Sequence, residues 1–239
     1  MAVDAPMSVD ERLIEQFLAV DPATREKVAD DDLDDLAGAV KAAREAAQRI
    51  VKFVEVTMRD KTQMPDAGLL QVRTHALSSS AAVATKLDAA RTKVASAIDE
   101  FERESAAPAE SPATVHFERE IRDAFKAMTD AQRKAAINDA FKTGNKTVLG
   151  AILRSPLPAY MSGFTTAHLE IVRHRYRSQF FPAQYERSRR LKKALAMAER
   201  QGEAFVGFVE RVANSPAVTL AQAAQRAREE LAALYKDAA

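Results

Sequence analysis

Cysteine is absent from the 239 residues, and with it go disulfides, thiolate metal ligands and cysteine nucleophiles. An intracellular protein is expected on that ground. No stretch reaches the roughly 18 to 20 uncharged apolar residues that would span a bilayer. The first segment, "MAVDAPMSVDERLIEQFLAV", sets acids and a proline where a signal peptide needs a basic start and a clean apolar run. A cytoplasmic chain with no membrane partner is expected. Net charge is only +1, so no global field draws the molecule to a polyanion and any charged function is local.

Turn and strand formers are also thin: seven glycines and nine prolines occur, and β-branched runs with strict alternation are missing. Helix is then the default, because the abundant Ala, Leu, Glu, Lys, Gln and Arg lose little rotamer freedom there. Ser8 with Glu11 forms a capping-box pattern that predicts a short helix carrying Leu13, Ile14 and Phe17 inward, and Asp21-Pro22 reads as the opening of another.

From Leu33 the apolar residues settle into a seam. Leu33, Val40, Ala47 and Val54 recur every seven residues, with Leu36, Ala43 and Ile50 three further on. The pattern stops at Met64-Pro65-Asp66, and a second long helix runs to Glu104 with Leu87, Val94 and Phe101 in heptad spacing and Ala90 and Ala97 between them. Two such arms bury each other's stripes most simply as an antiparallel hairpin. Residues 105–114, "SAAPAESPAT", have no apolar period and read as a linker.

The remainder restarts as helix, with Phe117, Ile121, Phe125 and Met128 in register. Thr129 with Gln132 is a second capping box, and Gly144 is placed to end that helix. "KTVLGAILR" ends at Ser155-Pro156-Leu157-Pro158, Thr165 or Thr166 caps the next helix, and Pro182 either kinks one very long helix or separates two. Leu191, Ala198, Phe205 and Val212 recur at seven. A last helix from Thr219 carries Leu220, Ala224, Ala227, Leu231 and Leu234. The fold class is therefore all-α: a long antiparallel, coiled-coil-like hairpin (1–104), a linker (105–114) and a multi-helix bundle (115–239).

Reactive chemistry finds little support. His75, His116, His168 and His174 form no HExxH pair, so no metal site is expected. "TGNKTVLGAI" sets Lys146-Thr147 before a helix, but Asn145 stands where a phosphate-binding loop needs glycine. The acidic run "DDDLDD" (30–35) lacks the spacing of a Ca²⁺ loop and suits a helix N-terminus, where the macrodipole favours acids. No Gly-x-Ser-x-Gly elbow is present. No catalytic residue, cofactor or metal is assigned, and the expectation is a protein that is not an enzyme.

One stretch is strongly charged. "VRHRYRSQFFPAQYERSRRLKK" (172–193) holds eight Arg or Lys against one acid, Glu186. Leu169, Val172, Tyr176 and Phe180 share one helical face and read as core. Arg175 points away from that stripe, and Arg189, Arg190, Lys192 and Lys193 spread opposite Leu191 and Leu195 with few acids at i,i+4. These five are the candidate contacts for an acidic or polyanionic partner. Residues 1–35, with eleven acids against three bases, offer one acidic surface of that kind. Nucleic acid is the alternative partner, through salt-dependent phosphate contacts.

"KTGNKTVLGAILRSPLPAYMSGFTTAHLEIVRHRY" (142–176) resembles a segment of helical proteins encoded by tailed bacteriophages and prophages. The likeness rests on the small helix "VLGAIL", the Pro-bounded turn "SPLPAYMSG" and the charged helix after it. It implies a virion or phage-accessory role and carries no functional residues with it. The expectation is a structural or interaction protein, cytoplasmic or virion-borne. Left-over heptad stripes call for homo-oligomerisation or for other helical proteins as partners.

Overall fold

A computed structural model describes residues 3–113, 115–155 and 157–237. The fold is all-α, 77% helical, with ten helices and a single pair of two-residue strands among the described residues. Two compact units form. One comprises residues up to Ala95 together with those from Arg190 onward; the other runs from Ser96 to Arg189.

In the first unit, α1 is one short turn, Arg12–Glu15. Ser8 makes no cap for it; the Asp10 carboxylate accepts the Arg12 N–H instead (3.0 Å). Asp21-Pro22 opens no helix. The Asp21 carboxylate accepts the N–H groups of Ala23 (2.7 Å) and Thr24 (3.4 Å), which closes a turn between β1 (Ala19–Val20) and β2 (Lys27–Val28). An aspartate that satisfies the next two backbone donors is as content in a turn as at a helix start. These strands lie at the surface, with both β2 residues exposed.

Helix α2 (Asp31–Arg59) begins at Asp30, whose carboxylate accepts the Asp32 N–H (3.3 Å), with Asp31, Asp32 and Asp34 in the first turn. Its seam is buried as the spacing required: Leu33, Leu36, Val40, Ala43, Ala47, Ile50 and Val54 are each 1% exposed. Helix α3 (Pro65–Glu104) returns antiparallel to it. Lys93 lies against Asp35 (2.5 Å) and Asp32 (3.6 Å) at one end of the pair. Phe53 stacks on His75 (centroids 4.4 Å) further along, and the Thr57 methyl closes over Gly68 near the turn.

Helix α9 (Pro182–Ala213), from residue 190 onward, is the third long member of this unit. It buries Leu191, Ala198, Phe205, Val209 and Val212 and pairs Glu199 with Arg91 of α3 (2.9 Å). The N-terminal segment is tied down by Glu11 to Arg44 (2.6 Å) and by the Asp10 N–H donating to Gln201 Oε1 (2.7 Å). Helix α10 (Pro216–Asp237) completes it.

The second unit contains α4 (Phe117–Ala127), α5 (Asp130–Thr143), α6 (Lys146–Leu153), α7 (Pro158–Met161) and α8 (Thr166–Phe180). Phe125, Phe141, Leu149, Ile152, Phe164, Leu169 and Tyr176 lie in its core. Phe117, in helical register with Ile121 and Phe125, is 46% exposed at the first residue of α4. The capping box is complete: Gln132 N–H donates to Thr129 Oγ1 (3.4 Å), and Thr129 N–H to Gln132 Oε1 (2.9 Å). Gly144 ends α5 at φ +66°, and Thr165 caps α8 by accepting the His168 N–H (3.2 Å).

Pro182 divides α8 from α9, with Phe181 at φ −134°. Residues 105–113, expected as a linker, belong to this unit, and their first four residues are at least partly buried while Ala109, Glu110, Pro112 and Ala113 are exposed. Ser105 is fully buried and accepts a hydrogen bond from Arg177 Nε (3.1 Å), and the Pro108 carbonyl accepts from Arg154. Thr114, the last residue of that segment, and Pro156 of the Pro-bounded turn lie outside the described residues.

Candidate functional site

The five basic residues singled out in the sequence fall in different units: Arg175 and Arg189 in the second, Arg190, Lys192 and Lys193 in the first. Arg175 is held within the chain. Its guanidinium lies 4.2 Å over the Phe141 ring and donates to Asn138 Oδ1. Arg189 pairs with Glu186 (3.0 Å) and sits 5.9 Å from the Tyr185 ring. Arg190 is half-buried, and Lys192 and Lys193 are exposed on α9.

Two surfaces among the described residues, one in each unit, set exposed apolar side chains in a defined geometry. The first is a groove in the second unit. Helices α5 and α8 run side by side in the same direction: Asp130 and His168 share one end, Asn138 meets Arg175 further on, and Gln179 donates to the Phe141 carbonyl (3.0 Å) at the other. Between them opens a cavity of about 270 Å³ with Ile137, Phe141, Phe164 and Val172 as its floor. Ile171 stands on its wall, 66% exposed.

The rim of this groove is basic: Arg133 and Lys134 from α5, His168 and Arg175 from α8. Its one acid, Asp130, is taken by Arg133, whose hydrogen bond and charge hold that carboxyl below the usual aspartate range. Arg133 also donates to the carbonyls of Phe125 (3.2 Å) and Met128 (2.7 Å), satisfying the C-terminus of α4. Gly163, at φ +71°, leaves the space this guanidinium needs; a Cβ there would lie 2.6 Å from Arg133 Nη1. Apart from Arg175, the polar members of this rim were not legible as a site. The one local signal was Ile171, an aliphatic residue off the core stripe of α8.

The second surface is on α10. Val218 and Ala221 are buried at its start, Arg228 pairs with Asp66 of α3 (2.7 Å), and Gln222, Gln225, Arg226 and Glu229 face Leu70, Arg73 and Thr74 of α3. The polar side of the helix thus meets its own unit. The apolar side is turned outward: Leu220, Leu231 and Leu234 are 72%, 54% and 66% exposed. With Ala224 and Ala227 they are spaced 4-3-4-3, which keeps all five on one narrow stripe of an α-helix.

Among the described residues, no three His, Asp or Glu side chains gather as a group that could hold a metal ion, and no helix is long and apolar enough to cross a membrane. No known protein family, curated protein or solved structure matches the chain. The two surfaces are an apolar groove with a cationic rim and a leucine–alanine seam on an exposed helix.

Proposed function

We propose that this protein is a non-enzymatic interaction component that assembles through helix-on-helix seams, with a second copy of its own chain as the first partner. The supporting observation is the outward stripe of α10. A helix whose polar face is spent on its own unit while Leu220, Leu231 and Leu234 face water has its hydrophobic stabilisation still to gain. The 4-3-4-3 spacing is self-complementary: leucine knobs meet small Ala224 and Ala227 positions that let two axes approach.

Magnitudes set the kind of assembly. Full burial of a leucine stabilises by about 1.5–3 kcal/mol. Association costs roughly 4–15 kcal/mol. Three leucines from each of two chains give an assembly that dissociates on dilution. The likeness of residues 142–176 to phage-encoded helical proteins supports a virion or accessory setting for it. Engagement of Arg175 by Asn138 and Phe141, and of Arg189 by Glu186, supports protein contact over phosphate binding as the use of the basic segment.

Sedimentation of the full-length protein over a concentration series tests the reading. The expected result is a mass that rises reversibly to a multiple of the chain mass, and that stays at one chain for Leu231→Glu with Leu234→Glu. A single-chain mass at every concentration, or an assembly indifferent to those substitutions, overturns it.

A further inference from the structure

The groove between α5 and α8 serves a different purpose from the α10 seam. We infer that it receives an acidic amphipathic helix of a partner protein, whose aliphatic side chains seat on Ile137, Phe141 and Val172 while its carboxylates meet Lys134 and Arg175.

Length, charge and preorganisation carry this. The floor is shared by two same-direction helices from the level of Arg133 and His168 to that of Phe141 and Arg175. That span is two helical turns, roughly 12 Å. It matches anchors at i, i+3 or i+4, and i+7 of one docked helix. Charge on this face does not echo the chain, whose net value is +1. Three permanent cations, Arg133, Lys134 and Arg175, stand here against Asp130 alone, and Asp130 is already taken by Arg133.

Arg175 is fixed in advance. Stacking on Phe141 and bonding to Asn138 spend its side-chain entropy before any partner arrives, and the hydrogen bond to Asn138 engages only one of its nitrogens. Ile171, 66% exposed, supplies an aliphatic wall. The cavity is partly open to solvent at about 270 Å³, whereas small-molecule sites enclose roughly 70–90% of their ligand. An apolar floor, in turn, offers a phosphodiester backbone nothing. A helix meets both the floor and the rim.

The test uses full-length protein and two fluorescein-labelled 18-residue peptides that share leucines at i, i+3, i+7 and i+10, one flanked by Glu and the other by Lys. By anisotropy, the Glu peptide should bind saturably and at least tenfold more tightly than the Lys peptide. Ile171→Glu and Lys134→Glu, both at exposed positions that leave the fold intact, should each weaken it tenfold or more. Leu231→Glu should leave it unchanged, which separates this surface from the α10 seam. Equal binding of the two peptides, or binding indifferent to Ile171→Glu, overturns the inference. So does displacement of the Glu peptide by decanoate or by a 20-base-pair duplex at lower concentration than by unlabelled peptide.

Discussion

Across the break at Pro182, Tyr185 Oη and His174 Nε2 are joined by a hydrogen bond, with the two rings edge-to-face at 5.0 Å between centroids. Tyr185 is buried and His174 exposed, so the bond lets a buried phenol keep a polar partner at the boundary. Tyr185→Phe removes the hydroxyl and leaves the ring packed. It should lower stability by about 0.5–1.5 kcal/mol, the net worth of one hydrogen bond, read from the urea midpoint.

Gly144 and Gly163 both sit at positive φ, +66° and +71°, but their surroundings differ. Nothing lies within 4 Å of a Cβ built at Gly144, so Gly144→Ala should cost only the left-handed conformation, about 1–2 kcal/mol. At Gly163 the new methyl must also push the Arg133 guanidinium off the carbonyls of Phe125 and Met128. Gly163→Ala should therefore destabilise more than Gly144→Ala under the same denaturant titration, and Arg133→Ala in the Gly163→Ala background should close much of the gap.

Acid and base act on separate pairs. Asp130 lies below its ordinary 3.8 because Arg133 bonds the charged carboxylate, so its contribution is present above 3.8 and lost as pH falls through the depressed value. Lys93 lies above its ordinary 10.5 because Asp35 bonds the ammonium. Its contribution is complete below 10.5 and lost as pH rises through the raised value. Comparing thermal midpoints, the deficit of Asp130→Asn should shrink as pH falls below 3.8 and that of Lys93→Met as pH rises above 10.5, each persisting at about pH 7.

The α2 seam should behave as core and the α10 stripe should not. Ile50→Ala, at a position 1% exposed, should cost about 2–5 kcal/mol. Leu220→Ala, at 72% exposed, should leave the urea midpoint of dilute protein within about 0.5 kcal/mol of the parent.

Legibility in the sequence tracks the range of the interaction. Thr129 with Gln132, Gly144 and Thr165 act within one turn, and their caps were legible in neighbouring residues. The Leu33-to-Val54 stripe was legible because heptad spacing alone decides which face is buried. Asp21-Pro22 misled because the same carboxylate can cap a helix or close a turn, and only the pairing of Ala19 with Val28 chooses between them. Residues 105–113 look like a linker until Arg154 and Arg177 reach them from far along the chain. The groove depends on α5 lying beside α8 in a register that places Phe141 under Arg175, and nothing within either helix dictates that neighbour.

Because residues 96–189 form a compact body whose flanking stretches both belong to the other, the chain is threaded as one fold inserted into another. On a ribosome working from the N-terminus, the inserted body is complete once Arg189 emerges, while the hairpin of α2 and α3 waits for Leu191, Ala198 and Phe205 to cover it. Synthesis therefore passes through an interval in which the later-encoded body is finished and the earlier one still shows its greasy side.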